Sequence, residues 1–316
     1  MQDTTDALSE ALRGVRITGT LFLNGELSAP WGVSTPRIEG LVIFHLVTEG
    51  RATVRVPGSE AVTLEAGSIV VFPTGDAHEL WIGTNSTMVD ASPLVPKILA
   101  GELRVERSGG GGAITRLICG YFGCEPATER LLLAGLPRMF TVNIRRDGSG
   151  AWLESALRHS ADLVDSGLPG RRALLSKLTE ALFVETLSRY MDDLPAERTG
   201  WLAAARDDVV GKALALLHRD PARAWSLESL AREAGASRTV LVERFGRLLG
   251  IAPLAYLARW RLQRAASLLE TTEHTVLRIA MDVGYESEAA FSRAFKREMG
   301  EPPARYRRGK KLASRS

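Results

Sequence analysis

The chain contains little cysteine and no long apolar run, and each absence excludes a class of protein. Only two of its 316 residues are cysteine, Cys119 and Cys124, so a framework of several disulfides cannot stabilise the fold. No apolar stretch approaches the length needed to cross a bilayer, and the N-terminus lacks the basic head and apolar segment of a signal peptide. With 45% hydrophobic and 24% charged residues, the composition predicts a soluble, cytoplasmic protein of two domains.

The motifs of common enzymes are also missing. The sequence has no nucleophile constellation and no phosphate-binding loop, because the glycines at 109–112 are not followed by a lysine at a helix start. We therefore expect a protein that is not an enzyme.

A net charge of +3 conceals an uneven distribution. From Arg206 onward there are 21 Lys and Arg against 13 Asp and Glu, whereas the preceding residues have 19 against 24. A basic segment joined to a mildly acidic one favours a module that binds a polyanion, since phosphate attraction supplies most non-specific affinity for nucleic acids. A solvated basic surface would give the same counts, so charge leaves both interpretations open.

The C-terminal third contains an internal repeat. Phe, Gly, Pro and Tyr stand at 245, 250, 253 and 256, and the same four recur in the same order at 295, 300, 303 and 306. The second copy has one more residue in its turn. A repeat of this period predicts one supersecondary unit that is used twice.

Each copy predicts a helix, a tight turn and a second helix, over about 227–248 and 276–298. Ser226 and Ser237 stand at N-cap positions, and Gly235 can adopt the left-handed conformation that ends the first helix. The second helices bury their phenylalanines, and this spacing turns the following residues outward: Arg238, Thr239, Val242 and Glu243 in the first copy, and Glu288, Ala289, Ser292, Arg293 and Lys296 in the second. This is the pattern of a helix-turn-helix, whose second helix enters the major groove.

Between the copies, YLARWRLQRAASLLE predicts a long amphipathic helix that holds two reading heads apart. This helix, the double unit and the ending GYESEAAFSRAFKREMGEPPARYR resemble the DNA-binding domain of AraC/XylS-type transcription regulators over about the last hundred residues. The resemblance implies that the outward residues read double-stranded DNA, with Arg293 suited to guanine. It also implies phosphate contacts by Arg238, Arg247, Lys296 and Arg297. A helical bundle that binds a protein is the alternative.

The N-terminal half predicts a β-structure. Between residues 15 and 120, short runs rich in Val, Ile, Leu, Phe and Thr alternate with Gly, Pro and Asn, which suggests a sandwich or barrel. Gly67, Pro73, Gly75 and His78 have the spacing of the second cupin motif, and His45 lies where the first would begin. This half therefore resembles the cupin-type sensor domain of AraC-type regulators, which implies an α+β two-domain protein with a cupin-like β-barrel followed by helices and an all-α C-terminal domain.

His45 and His78 are candidate ligands of a divalent transition metal. With Cys119 or Glu49 they would make a plausible set of metal-binding donors. Metal-binding cupins usually present three histidines and a glutamate, whereas here the next inward position after His45 is Val47 and Glu49 ends the strand. A satisfied core histidine is the alternative interpretation.

The segment LICGYFGCE contains both cysteines, and AraC-type sensors of this kind often have a Cys-Gly step where the last barrel strand leaves for the helices. Two buried thiols explain the segment by packing alone. As a hypothesis, Cys119 is a redox-sensitive or metal-binding thiol and Cys124 its partner. A five-residue step in a straight strand sends the two side chains to opposite faces, so a disulfide between them would require a bend at Gly120 or Gly123.

Helical periodicity follows the β-region at 128–140, 152–167 and 171–193, and the last of these has a broad apolar face. Because AraC-type sensors commonly dimerise through helices here, the resemblance implies a homodimer. We expect a sensor and dimerisation domain at 1–191, a linker at 192–205 and a DNA-binding domain at 206–316.

The two halves together predict a sequence-specific transcription regulator. Its sensor would respond to a small-molecule, metal or oxidant effector, and RNA polymerase would be a partner if it activates transcription. A cupin-type metalloenzyme fused to a DNA-binding domain, and an architectural protein that binds DNA without sequence preference, are the alternatives.

Overall fold

The computed structural model describes residues 6–13, 17–84, 86–124, 133, 136–163, 169–195 and 197–313. These residues form two compact units, one comprising residues 17–124 and 136–194 and the other 6–13 and 195–313. The predicted helix at 128–140 falls largely outside the described residues, and its last residue, Phe140, begins a strand. No helix among the described residues is long and apolar enough to cross a membrane.

The first unit contains two β-sheets. Six strands form the larger sheet in the order β11-β6-β3-β10-β1-β9, and five form the smaller in the order β5-β4-β7-β2-β8. In chain order the strands are β1 (Ile17–Ser28), β2 (Trp31–Thr35), β3 (Leu41–Glu49), β4 (Arg51–Arg55), β5 (Val62–Glu65), β6 (Ser68–Phe72), β7 (His78–Ile82), β8 (Met88–Asp90), β9 (Arg104–Gly109), β10 (Ile114–Cys124) and β11 (Phe140–Asn143). The prediction of a cupin-like β-barrel is therefore corrected: the described residues form two sheets and not a closed barrel, because no ladder joins the edge strands of the two sheets.

The apolar core of this unit lies between the two sheets. Ile43 and Val47 of the larger sheet and Val54 and Leu80 of the smaller belong to one buried cluster. Alternate residues of β3 and β10 point the other way, where Phe44 stacks on Phe122 and Phe122 contacts Phe183 of a covering helix. Side chains alternate between the faces of a strand, so β3, in the middle of the larger sheet, is buried on both sides, in agreement with its nearly continuous apolar sequence.

The described residues of the first unit also form the α-helices α2 (Val95–Leu99), α3 (Gly148–Asp162) and α4 (Arg171–Asp192). Asp147 caps α3 by accepting hydrogen bonds from the backbone N–H groups of Ser149 and Gly150. The helix α4 crosses the larger sheet so closely that a Cβ on Gly19 of β1 would lie 2.6 Å from the Thr179 side chain. Phe183, Leu182 and Leu187 of α4 are fully buried.

The second unit is helical. It consists of α1 (Ala7–Arg13), α5 (Trp201–Arg206), α6 (Val210–Arg219), α7 (Leu227–Glu233), α8 (Arg238–Leu249), α9 (Pro253–Thr271), α10 (Val276–Asp282), α11 (Glu288–Met299) and α12 (Pro303–Ala313). The helix α5 begins at Trp201, within the predicted linker 192–205, and both Trp201 and Leu202 are buried. Likewise, α1 lies within the predicted sensor range but packs against α5 and α6.

The helix α9 supports the two copies of the repeat. Its N-terminal half contributes Tyr256, which contacts Phe245 of α8, and Trp260, on which His218 of α6 stacks at 4.1 Å between ring centroids. Its C-terminal half contributes Leu262 and Leu269 to a second cluster with Phe291 and Phe295 of α11. Each pair of helices, α7 with α8 and α10 with α11, is therefore anchored by an aromatic core to one end of the same helix.

Candidate functional site

The helix α8 presents the outward residues of the first copy. Ser237 accepts a hydrogen bond from the N–H of Val240 and so begins the helix, and Leu241, Phe245 and Leu248 are buried beneath it. All the positions predicted to face outward are exposed: Arg238, Thr239, Val242, Glu243 and Arg247. The side chain of Arg238 forms an ion pair with Glu228 of α7, in which Arg238 Nη1 lies 2.5 Å from Glu228 Oε1.

The helix α11 presents the second set in the same way. Ser287 accepts a hydrogen bond from the N–H of Ala290, and Phe291 and Phe295 form the buried stripe. Of the residues predicted to face outward, Ser292 is half-buried and the others are exposed: Glu288, Ala289, Arg293, Lys296 and Arg297. The turn before α11 is one residue longer than the turn before α8, as the alignment of the two copies predicted.

The two helices differ in free positive charge. Within the described residues, Arg293, Lys296 and Arg297 on α11 form no ion pair, whereas α8 has one such arginine, Arg247, and the carboxylate of Glu243. Unpaired cations on an exposed helix attract phosphates and can donate to base edges. The second copy is therefore better equipped for hydrogen-bonding contacts with DNA than the first.

His45 and His78 meet inside the first unit. Nδ1 of His78 lies 2.7 Å from the carbonyl oxygen of Asp76, an acceptor only, so this nitrogen carries the proton and Nε2 of His78 is an acceptor. His45 Nε2 lies 2.8 Å from that Nε2 and therefore donates to it. Burial lowers the pKa of His78 to about 4, although the hydrogen bond to Asp76 opposes this, and burial followed by the proximity of His78 lowers the pKa of His45.

The geometry of this histidine pair is that of a hydrogen bond. Two nitrogens bound to one tetrahedral zinc at about 2.0–2.1 Å would be about 3.3 Å apart, farther than the two Nε2 atoms here. Glu49 turns to the surface and forms an ion pair with Arg116. Among the described residues no group of three His, Cys, Asp or Glu is arranged to hold a metal ion. As arranged, these residues do not fit a metal centre, and Nδ1 of His45 is left buried with no hydrogen-bond partner in the described chain.

Cys119 lies opposite His45 in the register of β10 and β3 and is buried in the core between the sheets. Burial raises the pKa of its thiol, so the thiol is protonated and poorly nucleophilic. The strand β10 continues through Cys119 and Gly120 to Cys124, whereas the sequence suggested that the chain leaves the sheet at this step. Five residues of extended strand span about 16 Å, which exceeds the Cα separation of any disulfide, so the structure does not bring the two cysteines together.

A charged cleft that the sequence did not indicate lies on the outer side of the larger sheet. It is lined by residues from β1, β3, β9, β10 and α3, including Glu26, Arg107, Arg116 and Arg158. The sequence offers no signal for this cleft, because residues up to 138 positions apart form it and each charged one looks like an ordinary surface charge.

Two family models match the chain. A model described as a cupin matches residues 6–192, and one described as a helix-turn-helix domain matches residues 230–309. A β-structured sensor-type domain followed by paired helices with exposed basic faces defines a DNA-binding transcription regulator. The chain belongs to the AraC-like transcription regulators with an N-terminal cupin domain, which confirms both resemblances.

Curated relatives match over nearly the whole length. A putative AraC-like transcription regulator of Streptomyces lividans is 32% identical and covers 96% of this chain and 98% of its own. The HTH-type transcriptional regulator AlkR of Acinetobacter baylyi is 29% identical over 96% of this chain and 99% of its own. The RCS-specific HTH-type transcriptional activator RclR of Escherichia coli strain K12 is 30% identical over 96% of this chain and 97% of its own.

Among solved structures, the DNA-binding domain of AdpA in complex with a target DNA is 32% identical. It covers 34% of this chain and 96% of its own, with a TM-score of 0.33.

Proposed function

We propose that this regulator is a one-component switch. In this proposal the cupin domain binds an effector, and two helix-turn-helix units, one formed by α7 and α8 and the other by α10 and α11, read an operator. The observation that carries the proposal is the anchoring of both units to one helix, α9, through the buried clusters around Trp260 and Phe295. Two heads held on one rigid helix can reach successive major grooves on one side of the duplex.

The exposed side chains suggest a division of roles between the heads. Arg293 is suited to a bidentate contact with guanine, and Glu243 can accept from the amino group of cytosine. Thr239 and Val242 can contact thymine methyl groups, while Glu288, Ala289 and Ser292 border the same surface. Basic residues at the edges of the two helices would contact phosphates: Arg238, Arg247, Lys296 and Arg297.

We also propose a homodimer that forms through α4. The face of this helix that does not cover the sheet has exposed apolar side chains, Leu174 at 44% and Val184 at 40%, with the exposed Ala181 between them. These three residues, the α4 stripe, follow the i, i+7, i+10 spacing of one helix face. A dimer would give each operator four recognition helices, and RNA polymerase would be a further partner if the regulator activates transcription.

Three classes of effector follow from the cupin domain: a small organic molecule, a metal or an oxidant. The buried, protonated thiol of Cys119 would have to become exposed before an oxidant could attack it, and metal binding at His45 and His78 would require the two imidazoles to move apart. These observations favour a small organic molecule. A catalytic metal in this domain would instead support the metalloenzyme alternative, and metal analysis of the purified protein tests it.

Footprinting on the DNA beside its own gene tests the proposal. We expect protection confined to particular sites and altered by extracts that contain the effector, but not by reductant, oxidant or chelator. Uniform protection along the DNA would contradict sequence-specific regulation and support the architectural alternative. A response to oxidant that disappears when Cys119 and Cys124 are both replaced by serine would instead identify the oxidant as the effector.

A further inference from the structure

The charged cleft has the size of a small-molecule site. Its volume is about 480 Å³, within the range of about 300–1,000 Å³ in which ligand pockets fall. Asn24, Glu26, Thr48 and Arg116 line it from the strands and alternate with residues of the inter-sheet core, so they point away from that core. Arg158 and Asp162 line it from the C-terminal part of α3, and Asn24 Nδ2 donates to Asp162 Oδ1 at 2.8 Å across the gap.

Most of the charges around the cleft already have partners. The guanidinium of Arg116 lies between Glu26, at 2.8 Å, and Glu49. Arg104 pairs with Glu106 at 2.9 Å. Glu26 and Glu106 of the lining are therefore each paired with an arginine, whereas Asp162, among the described residues, accepts a hydrogen bond only from the neutral amide of Asn24.

Two arginines that line the cleft remain without a partner. Within the part of the chain that the structure describes, the side chains of Arg107 and Arg158 form neither an ion pair nor a hydrogen bond. Arg107 lies beside Glu26 in the register of β9 and β1, but Glu26 is already bound to Arg116. Each free guanidinium presents a planar set of donors that matches a carboxylate or a phosphate group.

We propose that this cleft binds a small organic anion through Arg107 and Arg158, with a carboxylate or a phosphate as the recognised group. The polar lining, in which only Gly25 and Val105 lack a polar side chain, favours a hydrophilic ligand over an apolar one. Such a ligand would join α3 to the sheet, and α3 packs on α4, which contains the stripe proposed for dimerisation. The inference rests on the proposed function, since it identifies the chemical class of the effector.

Isothermal titration calorimetry on the full chain tests the site with three probes: citrate, inorganic phosphate and uncharged glucose. We expect saturable binding of citrate or phosphate and none of glucose, and the anion that binds more tightly identifies the recognised group. Arg107→Gln and Arg158→Gln should each weaken binding at least tenfold. Arg172→Gln, which removes an exposed arginine outside the cleft, should leave it unchanged.

Two results would overturn this inference. One is no saturable binding of either anion, and the other is equal weakening by all three arginine variants, which would indicate general charge attraction. Footprinting distinguishes this failure from failure of the proposed function. Site-specific protection without anion binding would contradict only the anion site in the cleft. Unspecific protection would contradict the proposed sequence-specific regulator, whatever binds in the cleft.

Discussion

Gly120 explains the Cys-Gly step by packing. The glycine lies in the middle of β10 opposite Phe44, and a Cβ there would lie 2.6 Å from the Phe44 ring. Any residue larger than glycine is therefore excluded at position 120 unless the stacked rings of Phe44 and Phe122 move. The side chain of Cys119 lies on the opposite face of β10, in the core between the two sheets. Packing on one face therefore requires a glycine at 120, and packing on the other face accounts for the small apolar residue at 119.

Arg293 and Lys296 should affect DNA binding in different ways. Replacing Arg293 by alanine removes a candidate base contact, so we expect a loss of about 1–3 kcal/mol on the operator and little loss on unrelated DNA. Replacing Lys296 by alanine should weaken binding to both DNAs by the same factor. It should also reduce the slope of the logarithm of the binding constant against the logarithm of the salt concentration by about the contribution of one phosphate contact. Fluorescence anisotropy over a range of salt concentrations measures both. Identical behaviour of the two variants would contradict the assignment.

His218 should make the second unit less stable in acid. Burial, and then the charge of Arg264, lower its pKa to about 3, whereas an unfolded histidine titrates near 6.5. Between these values the unfolded chain binds the extra proton, so stability is complete above about pH 6.5 and falls as the pH decreases, by up to about 1.4 kcal/mol per pH unit.

Urea unfolding of the full chain at pH 7, 6 and 5 measures this dependence. His218→Gln should flatten the loss of stability on acidification, while His274→Gln, at an exposed position, should not. The comparison concerns the slope with pH, so it holds even if the first variant is less stable at every pH. Equal slopes in all three proteins would show that His218 is not the titrating group.

At the scale of elements, α8 and α11, the helices proposed to read DNA, are similar in backbone and different in charge. Both begin at a serine cap and end at a glycine with positive φ, 70° for Gly250 and 83° for Gly300. The exposed faces diverge, with α11 more basic than α8. The common elements maintain the orientation of each helix on α9, while the variable faces can recognise different half-sites.

The α4 stripe predicts the oligomeric state. A charged residue within an apolar interface remains unpaired and desolvated when the interface closes, so Val184→Arg should weaken dimerisation at least a hundredfold. Val89→Arg places the same residue at an exposed valine of β8 and is the matched control. Sedimentation velocity over a concentration series distinguishes monomer from dimer. A dimer that persists equally in both variants would assign the interface to another surface.

At the scale of the whole molecule, the segment Ala7–Arg13 packs in the helical unit that contains α8 and α11. Ala7, Leu8 and Ala11 are buried where α1 packs against α5 and α6. Leu8→Ala should therefore destabilise the second unit by about 2–5 kcal/mol, whereas Leu12→Ala, at a half-buried position, should cost less. Thermal unfolding of the full chain provides the measurement. A midpoint unchanged by Leu8→Ala would show that α1 contributes nothing to this unit.

The local elements could largely be predicted from the sequence. The spacing of Phe245 and Phe295 and the serine and glycine at the ends of each helix predicted both reading helices, because capping and helical periodicity depend on neighbours within a few residues. Strand β3 was predicted for the same reason. The docking of α1, the start of α5 at Trp201 and the choice of two sheets over a barrel were not, since periodicity identifies a buried face without identifying what covers it.

The sequence by itself determined the family, the order of the two domains and the outward faces of α8 and α11, because these depend on short-range spacing. Only the tertiary structure decided that His45 and His78 form a hydrogen-bonded pair, that Cys119 is a buried thiol and that Arg107 and Arg158 line one cleft. Each of these depends on contacts between residues distant in the chain, and the protonation and pairing of a side chain are set by the groups that folding places around it.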